Sequence, residues 1–110
     1  MKILVVEPLE APAVKEIDGS LEAMQKEVGG YIQALFPFEE PVALICNEEG
    51  KLHGLPLNRT LRDDNGEIYD IVCGTFFLCS APPEEENFGS LSDEQIEHFT
   101  GMYRNPEVFL

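Results

Sequence analysis

The sequence predicts an α+β fold: a small mixed or antiparallel sheet, one helix packed across it, and a second helix at the C-terminus. Three observations lead there. Apolar runs rich in β-branched and aromatic residues recur at residues 2–6, 41–46 and 68–80, bounded by Pro, Gly, Asn and Asp. Two other stretches, opening at Ser20 and Ser92, place apolar residues at helical spacing behind an N-capping serine. At 110 residues the chain has room for one hydrophobic core and not for two.

Taken in order, Lys2–Val6 is a continuous apolar run closed by Pro8 and reads as a buried strand. Leu9–Pro12 is a turn. Val14–Ile17 is a short second strand, most simply a hairpin partner of the first and short enough to be an exposed edge. Asp18-Gly19-Ser20 ends it, and Leu21, Met24 and Val28 then share one helical face. Gly29-Gly30 stops that helix, because a glycine after the last turn takes the left-handed conformation cheaply. Tyr31–Phe36 and Val42–Cys46 are the third and fourth strands. Asn47–Gly50 is a turn, with Gly50 assigned to a position of positive φ.

Lys51–Leu61 has neither period, and Gly54 and Pro56 interrupt it, so it reads as an irregular loop. Asp63–Gly66 is a second turn, Ile68–Val72 a short strand or a helical turn, and Gly74–Cys79 the last strand. Ala81–Asn87 is a polar linker, expected to be mobile. Behind it Ser92 and Gln95 form a capping box, and Leu91 and Ile96 are spaced as a hydrophobic staple. Ile96, Phe99, Met102 and Tyr103 make the apolar face of the last helix, and Asn105-Pro106 stops it. Gly101 weakens this helix by roughly 1 kcal/mol relative to Ala, so it depends on docking. The order β-β-α-β-β-β with a following helix is that of a β-grasp domain. The chain divides into an α+β core (1–80), an acidic linker (81–90) and a docked C-terminal helix (91–110).

Composition narrows function mainly by exclusion. The net charge of −14, from 21 acidic and 7 basic side chains, opposes direct binding to nucleic acid or an anionic membrane. No apolar run approaches a membrane span or a signal-peptide core, so the expected location is the cytoplasm. Cys46, Cys73 and Cys79 lie in strand-like runs, which favours reduced, buried thiols. With no Cys-x-x-Cys, and only His53 and His98 as further soft ligands, neither a metal site nor a cofactor is expected.

Three of the seven basic residues, Lys51, Arg59 and Arg62, fall in the window Lys51–Arg62, which contains no Asp or Glu. Lys51, Asn58, Arg59 and Arg62 there fit an anion site, since Arg offers a planar fork to phosphate or carboxylate; Tyr31 would add a stacking face. The plainer alternative pairs Arg59 and Arg62 with Glu48, Glu49, Asp63 or Asp64, and has Asn58 satisfy loop backbone groups. On the anion reading, Arg59→Ala is expected to abolish ligand-dependent thermal shifts without unfolding the protein. Catalytic readings are thin. Cys46 or Cys73 with His53 offers a nucleophile and base, but from strand cores. Asp63, Asp64 and Glu67 resemble a cation site less than an Asp-rich turn.

The strings Val28-Gly29-Gly30-Tyr31-Ile32, Asn47-Glu48-Glu49-Gly50-Lys51-Leu52, Gly54-Leu55-Pro56, Asn58-Arg59, Asp70-Ile71-Val72 and Gly74-Thr75-Phe76-Phe77 resemble the domain-of-unknown-function family 3846. The resemblance extends through the Leu91-Ser92-Asp93-Glu94-Gln95 helix start. It implies a small cytoplasmic protein of Gram-positive bacteria, often carried on phages, plasmids or conjugative elements. It implies no activity and no catalytic residues. The leading expectation is a non-enzymatic binding or regulatory module with its recognition surface around residues 51–62. Its partner would be a protein or a small anionic ligand, and the chain itself a monomer or homodimer. Two alternatives stand beside it: an acidic mimic of nucleic acid that inhibits a host defence or DNA-processing protein, and a protein that sequesters a small anion.

Overall fold

The computed structural model describes all 110 residues. Seven strands and two helices follow in the order β1 (Lys2–Val6), β2 (Ala13–Glu16), α1 (Leu21–Val28), β3 (Ile32–Leu35), β4 (Val42–Asn47), β5 (Leu57–Arg62), β6 (Ile68–Cys73), β7 (Phe76–Ser80) and α2 (Asp93–Tyr103). The fold is α+β. Five strands form one sheet in the order β2-β1-β7-β4-β3, and every pairing in it is antiparallel. β5 and β6 form a separate two-stranded hairpin.

Each central strand is apolar on both faces because both faces are covered. One face, with Ile3, Val5, Ala43, Ile45, Phe77 and Cys79, packs under Met24 and Val28 of α1. The other, with Leu4, Val6, Val42, Leu44, Phe76 and Leu78, is roofed by Phe99 and Tyr103 of α2 and by Leu61 and Val72 of the hairpin. The helices start and stop as their sequences require. Ser20 accepts from Ala23 N at 3.1 Å, Gly29 closes α1 at φ 78°, and Ser92 and Gln95 form the reciprocal capping box.

Two elements differ from the sequence expectation. Residues 57–62, read as loop, are a strand, and with β6 they leave the sheet to form a lid over one end of it. The β-grasp order of five strands is therefore replaced by seven strands in two sheets. Gly50 does not adopt positive φ. It is required because a Cβ there would stand 2.8 Å from the Cys73 carbonyl oxygen, so the β4–β6 approach leaves no room for a side chain. The acidic stretch after β7 is tied at its end: Gly89 and Ser80 exchange backbone hydrogen bonds at 2.9 Å, Lys2 N donates to Ser90 Oγ, and Leu91 N donates to Lys2 O. No helix is long and apolar enough to cross a membrane.

All three cysteines are free and buried. Burial, joined by the nearby Asp70 carboxylate and opposed by Lys51, pushes the Cys46 thiol up to about 11; burial alone pushes Cys79 to about 12. Thiolate is the reactive form, so at pH 8 these two sulfurs are expected to be inert to Ellman's reagent until denaturant is added. Rapid labelling of Cys46 or Cys79 in the native protein would contradict this packing.

Candidate functional site

Two consecutive polar residues of β5 point inward. A bulge between the Leu57–Cys73 and Arg59–Val72 pairings turns both Asn58 and Arg59 into the interior, where they are 0% and 1% exposed. Asn58 Nδ2 donates to the carbonyls of Val6 and Gly74, each at 2.9 Å, and its Oδ1 accepts from Arg59 Nη1 at 2.9 Å. Arg59 Nη2 donates to Glu10 O at 2.7 Å and to Tyr103 O at 2.8 Å. Tyr103 closes α2, so the guanidinium meets the end of a helix where unsatisfied carbonyls concentrate negative charge. The pair thereby joins the end of β1, the turn at residues 7–10, the β6–β7 turn and the end of α2. Burial lowers the Arg59 pKa below its ordinary value, against the opposing pull of Glu107 and Tyr103. Its Nε is buried and has no partner.

On the outer side of this pair lies a cleft of about 430 Å³ between β5, the end of α2 and residues 37–38. Phe38, Leu61 and Met102 give it apolar walls, and Thr60, Arg62 and Glu107 give it polar ones. The Glu107 carboxylate accepts from Thr60 N at 2.8 Å and from Thr60 Oγ1 at 2.6 Å. Because β5 has a strand partner on one side only, this amide would otherwise have no hydrogen-bond partner in the hairpin. Arg62 is exposed, and its Nη1 donates only to Gly66 O, at 2.8 Å, within the hairpin turn. Arg104, also exposed, sits between Tyr103 and Asn105, both of which line the cleft.

The charge pattern is uneven. Lys2, Lys15 and Lys51 each pair with a carboxylate, those of Asp93, Glu27 and Asp70 respectively. None of the three arginines does, although the chain has 21 acidic side chains, and all three stand at or beside this cleft. The expected pairing of Arg59 and Arg62 with Glu48, Glu49, Asp63 or Asp64 is absent. The expectation that Asn58 satisfies backbone groups holds.

The five residues singled out from sequence fall in three places. Asn58, Arg59 and Arg62 share the β5 region. Lys51 lies across β6 in a smaller hollow of about 90 Å³ with Gln33, Cys46 and Asp70. Tyr31, 66% exposed, borders a third hollow with Gly30, Asn47 and His53 and offers no face to the arginines. Sequence reasoning passed over Thr60, Met102 as a cleft wall, and Glu107. The first becomes visible only once residues 57–62 are known to be a strand, and the last only once the tail's path is known. Asn47 was also passed over: its Nδ2 donates to Val28 O at 3.2 Å, closing the end of α1, and its Oδ1 accepts from Glu49 N.

Residues 1–104 match the family described as Domain of unknown function (DUF3846). The chain belongs to that family. No curated protein and no solved structure matches it. In this DUF3846 chain the motif residues Gly50, Asn58, Arg59 and Gly74 all serve the junction between the hairpin and the rest of the fold. A Cβ on Gly74, at φ +83°, would meet Leu55 Cδ1 at 2.7 Å, while its carbonyl accepts from Asn58.

Two predictions follow from this geometry. Asn58→Ala or Arg59→Ala strips buried carbonyls of their donors and is expected to cost about 2–4 kcal/mol in urea unfolding. Arg62→Ala is expected to stay within about 0.5 kcal/mol of the parent. Arg59 is thus a poor choice for the ligand test that the sequence suggests, because its loss acts on folding first. The second prediction concerns pH. Lys51 bonds to Asp70 and holds its carboxyl below the ordinary 3.8, while the Lys51 ammonium is raised above its ordinary 10.5. A depressed carboxyl stabilises the fold above 3.8 and loses that contribution as pH falls through its folded value. A raised ammonium stabilises below 10.5 and loses it as pH rises further. Asp70→Asn is therefore expected to cost about 0.5 kcal/mol at pH 7, since the pair is partly exposed, and nearly nothing at pH 2. A deficit equal at both pH values would contradict the ion pair.

Proposed function

We propose that the protein is a non-enzymatic binding module of a mobile genetic element, acting in the cytoplasm, and that its recognition site is the cleft between β5 and the end of α2. It takes an anionic group there, on a protein partner or a small ligand. One observation carries the reading: Arg59 and Arg62 of a strongly acidic chain line this cleft, Arg104 stands beside it, and none of the three forms an ion pair with a carboxylate. Ion pairing within the chain is the cheapest use of an arginine when acids outnumber bases threefold. Guanidinium groups left out of it, beside apolar walls, suit a carboxylate or phosphate with an apolar attachment.

The other chemistry in the molecule supports binding over catalysis. The Cys46 and Cys79 thiols are held protonated by burial. His53 and His98 face Glu49 and Glu40 on the surface, away from any cysteine. No three His, Cys, Asp or Glu side chains converge on a point that would hold a metal ion.

Arg62 is the residue to test, because it is exposed and its one hydrogen bond stays within its own turn. Inorganic phosphate or citrate at about ten times its Kd is expected to raise the melting temperature by about 5 °C. The Arg62→Ala protein, melting at the parent temperature without anion, is expected to show almost none of that rise. An equal response in both proteins, or none in either, would overturn the reading.

A further inference from the structure

The C-terminal tail shows what chemistry the cleft holds. Residues 104–110 leave α2 without regular structure and lay Glu107 against the outer edge of β5. Its two carboxylate oxygens each take one donor from the same residue, the Thr60 amide at 2.8 Å and the Thr60 hydroxyl at 2.6 Å. Arg59, the residue before Thr60 in β5, lines the same cleft, and Glu107 favours its buried charge without forming an ion pair with it. This is a built seat for one carboxylate, made of a backbone donor, a side-chain donor and a buried cation. The group in it is carried by a short stretch, Pro106-Glu107-Val108-Phe109-Leu110, with no other charged side chain, and Val108 is 74% exposed.

We infer that the seat takes a lone glutamate or aspartate from an extended, otherwise uncharged segment of a partner protein, and that Glu107 is the chain's own stand-in for it. The inference rests on the anion-binding reading above and narrows the anion to a peptide carboxylate. Extension follows from the donor: the outward amide of an edge strand is the group an added strand would use. The context of the carboxylate follows from charge. A chain at −14 repels a polyacidic segment at long range, whereas a single carboxylate on a neutral stem meets mainly the arginines at contact. The stem itself meets Phe38, Leu61 and Met102 along the cleft.

The test uses the full-length Glu107→Gln protein, which keeps the side chain's shape and removes its charge. The probe is the peptide Arg-Asn-Pro-Glu-Val-Phe-Leu, capped at both ends so that glutamate is its only carboxylate. A second peptide carries Gln in place of that Glu. By calorimetry, the first peptide is expected to bind the Glu107→Gln protein at least about tenfold more tightly than it binds the parent, and about tenfold more tightly than the Gln peptide does. Equal binding to the two proteins, or of the two peptides, would overturn the inference. A second readout needs no variant: excess Glu peptide is expected to displace the tail of the parent chain and speed carboxypeptidase trimming of Leu110 and Phe109. Unchanged trimming would count against it. If phosphate still protects the parent but not Arg62→Ala while the peptides fail, the peptide assignment falls and the anion site stands; if neither acts, both fall. A concentration-dependent dimer of the parent, lost in Glu107→Gln, would reassign the seat to the tail of a second copy and overturn a foreign partner.

Discussion

The structure depends on a hydrogen-bonded pair of neighbouring residues, Asn58 and Arg59, placed where four segments of the chain meet. A buried guanidinium without a carboxylate is costly, and the fold offsets that cost with the carbonyls of Glu10 and Tyr103 and the amide oxygen of Asn58. The arrangement also completes α2. That helix has no basic residue in its last turn, Arg104 as its C-cap, and Gly101 in its interior, which weakens it. Arg59 adds a second cation there, hydrogen-bonded to the Tyr103 carbonyl from a strand more than forty residues earlier. The hairpin thus positions the helix, and the helix in turn brings the tail back to the hairpin.

From that junction the candidate site follows. Arg59 is committed inward by its Nη groups, which leaves its positive field, rather than its hydrogen bonds, to the cleft outside. Thr60, next in the strand, points its amide the other way. Arg62, two residues further, is free on the surface at the same end. One strand therefore supplies a buried charge, an outward donor and an exposed charge within four residues. The apolar walls come from elements that the junction holds in place: Phe38, which packs at 4.6 Å between ring centres against Phe99 of α2, and Met102 on the last turn of the same helix.

Much of the fold was legible because it obeys local rules. The strands β1, β4 and β7 are unbroken apolar runs, as strands covered on both faces must be, and the two helix starts carry their caps in sequence. β5 was not legible for a physical reason. Its inward positions are filled by Asn58, Arg59 and Leu61, so a polar pair stands where alternation would require apolar residues, and a bulge at Asn58 breaks the period of two. Met102 has helical spacing for the core yet is 49% exposed, because the hairpin and the tail leave a cleft at that point in place of a packed neighbour. For the site, the structure separates residues that the sequence grouped. Asn58 and Arg59 anchor the fold, Lys51 is paired with Asp70, and Tyr31 stands elsewhere; of the five, Arg62 alone is left for a ligand to meet directly. Its companions, Thr60 and Glu107, are ordinary residues in sequence, and Glu107 lies beyond the matched residues 1–104.

The claim that a carboxylate seat exists at the edge of β5 reduces to a single proton, that of the Thr60 amide. Its chemical shift in the full-length protein, followed by solution NMR as the Glu107→Gln variant is titrated with the glutamate peptide, reports that seat directly. The expected result is a downfield amide in the parent, an upfield move in the variant, and a return downfield as the peptide binds. A Thr60 amide that is indifferent both to Glu107 and to the peptide would contradict the seat and, with it, the peptide carboxylate assigned to the cleft.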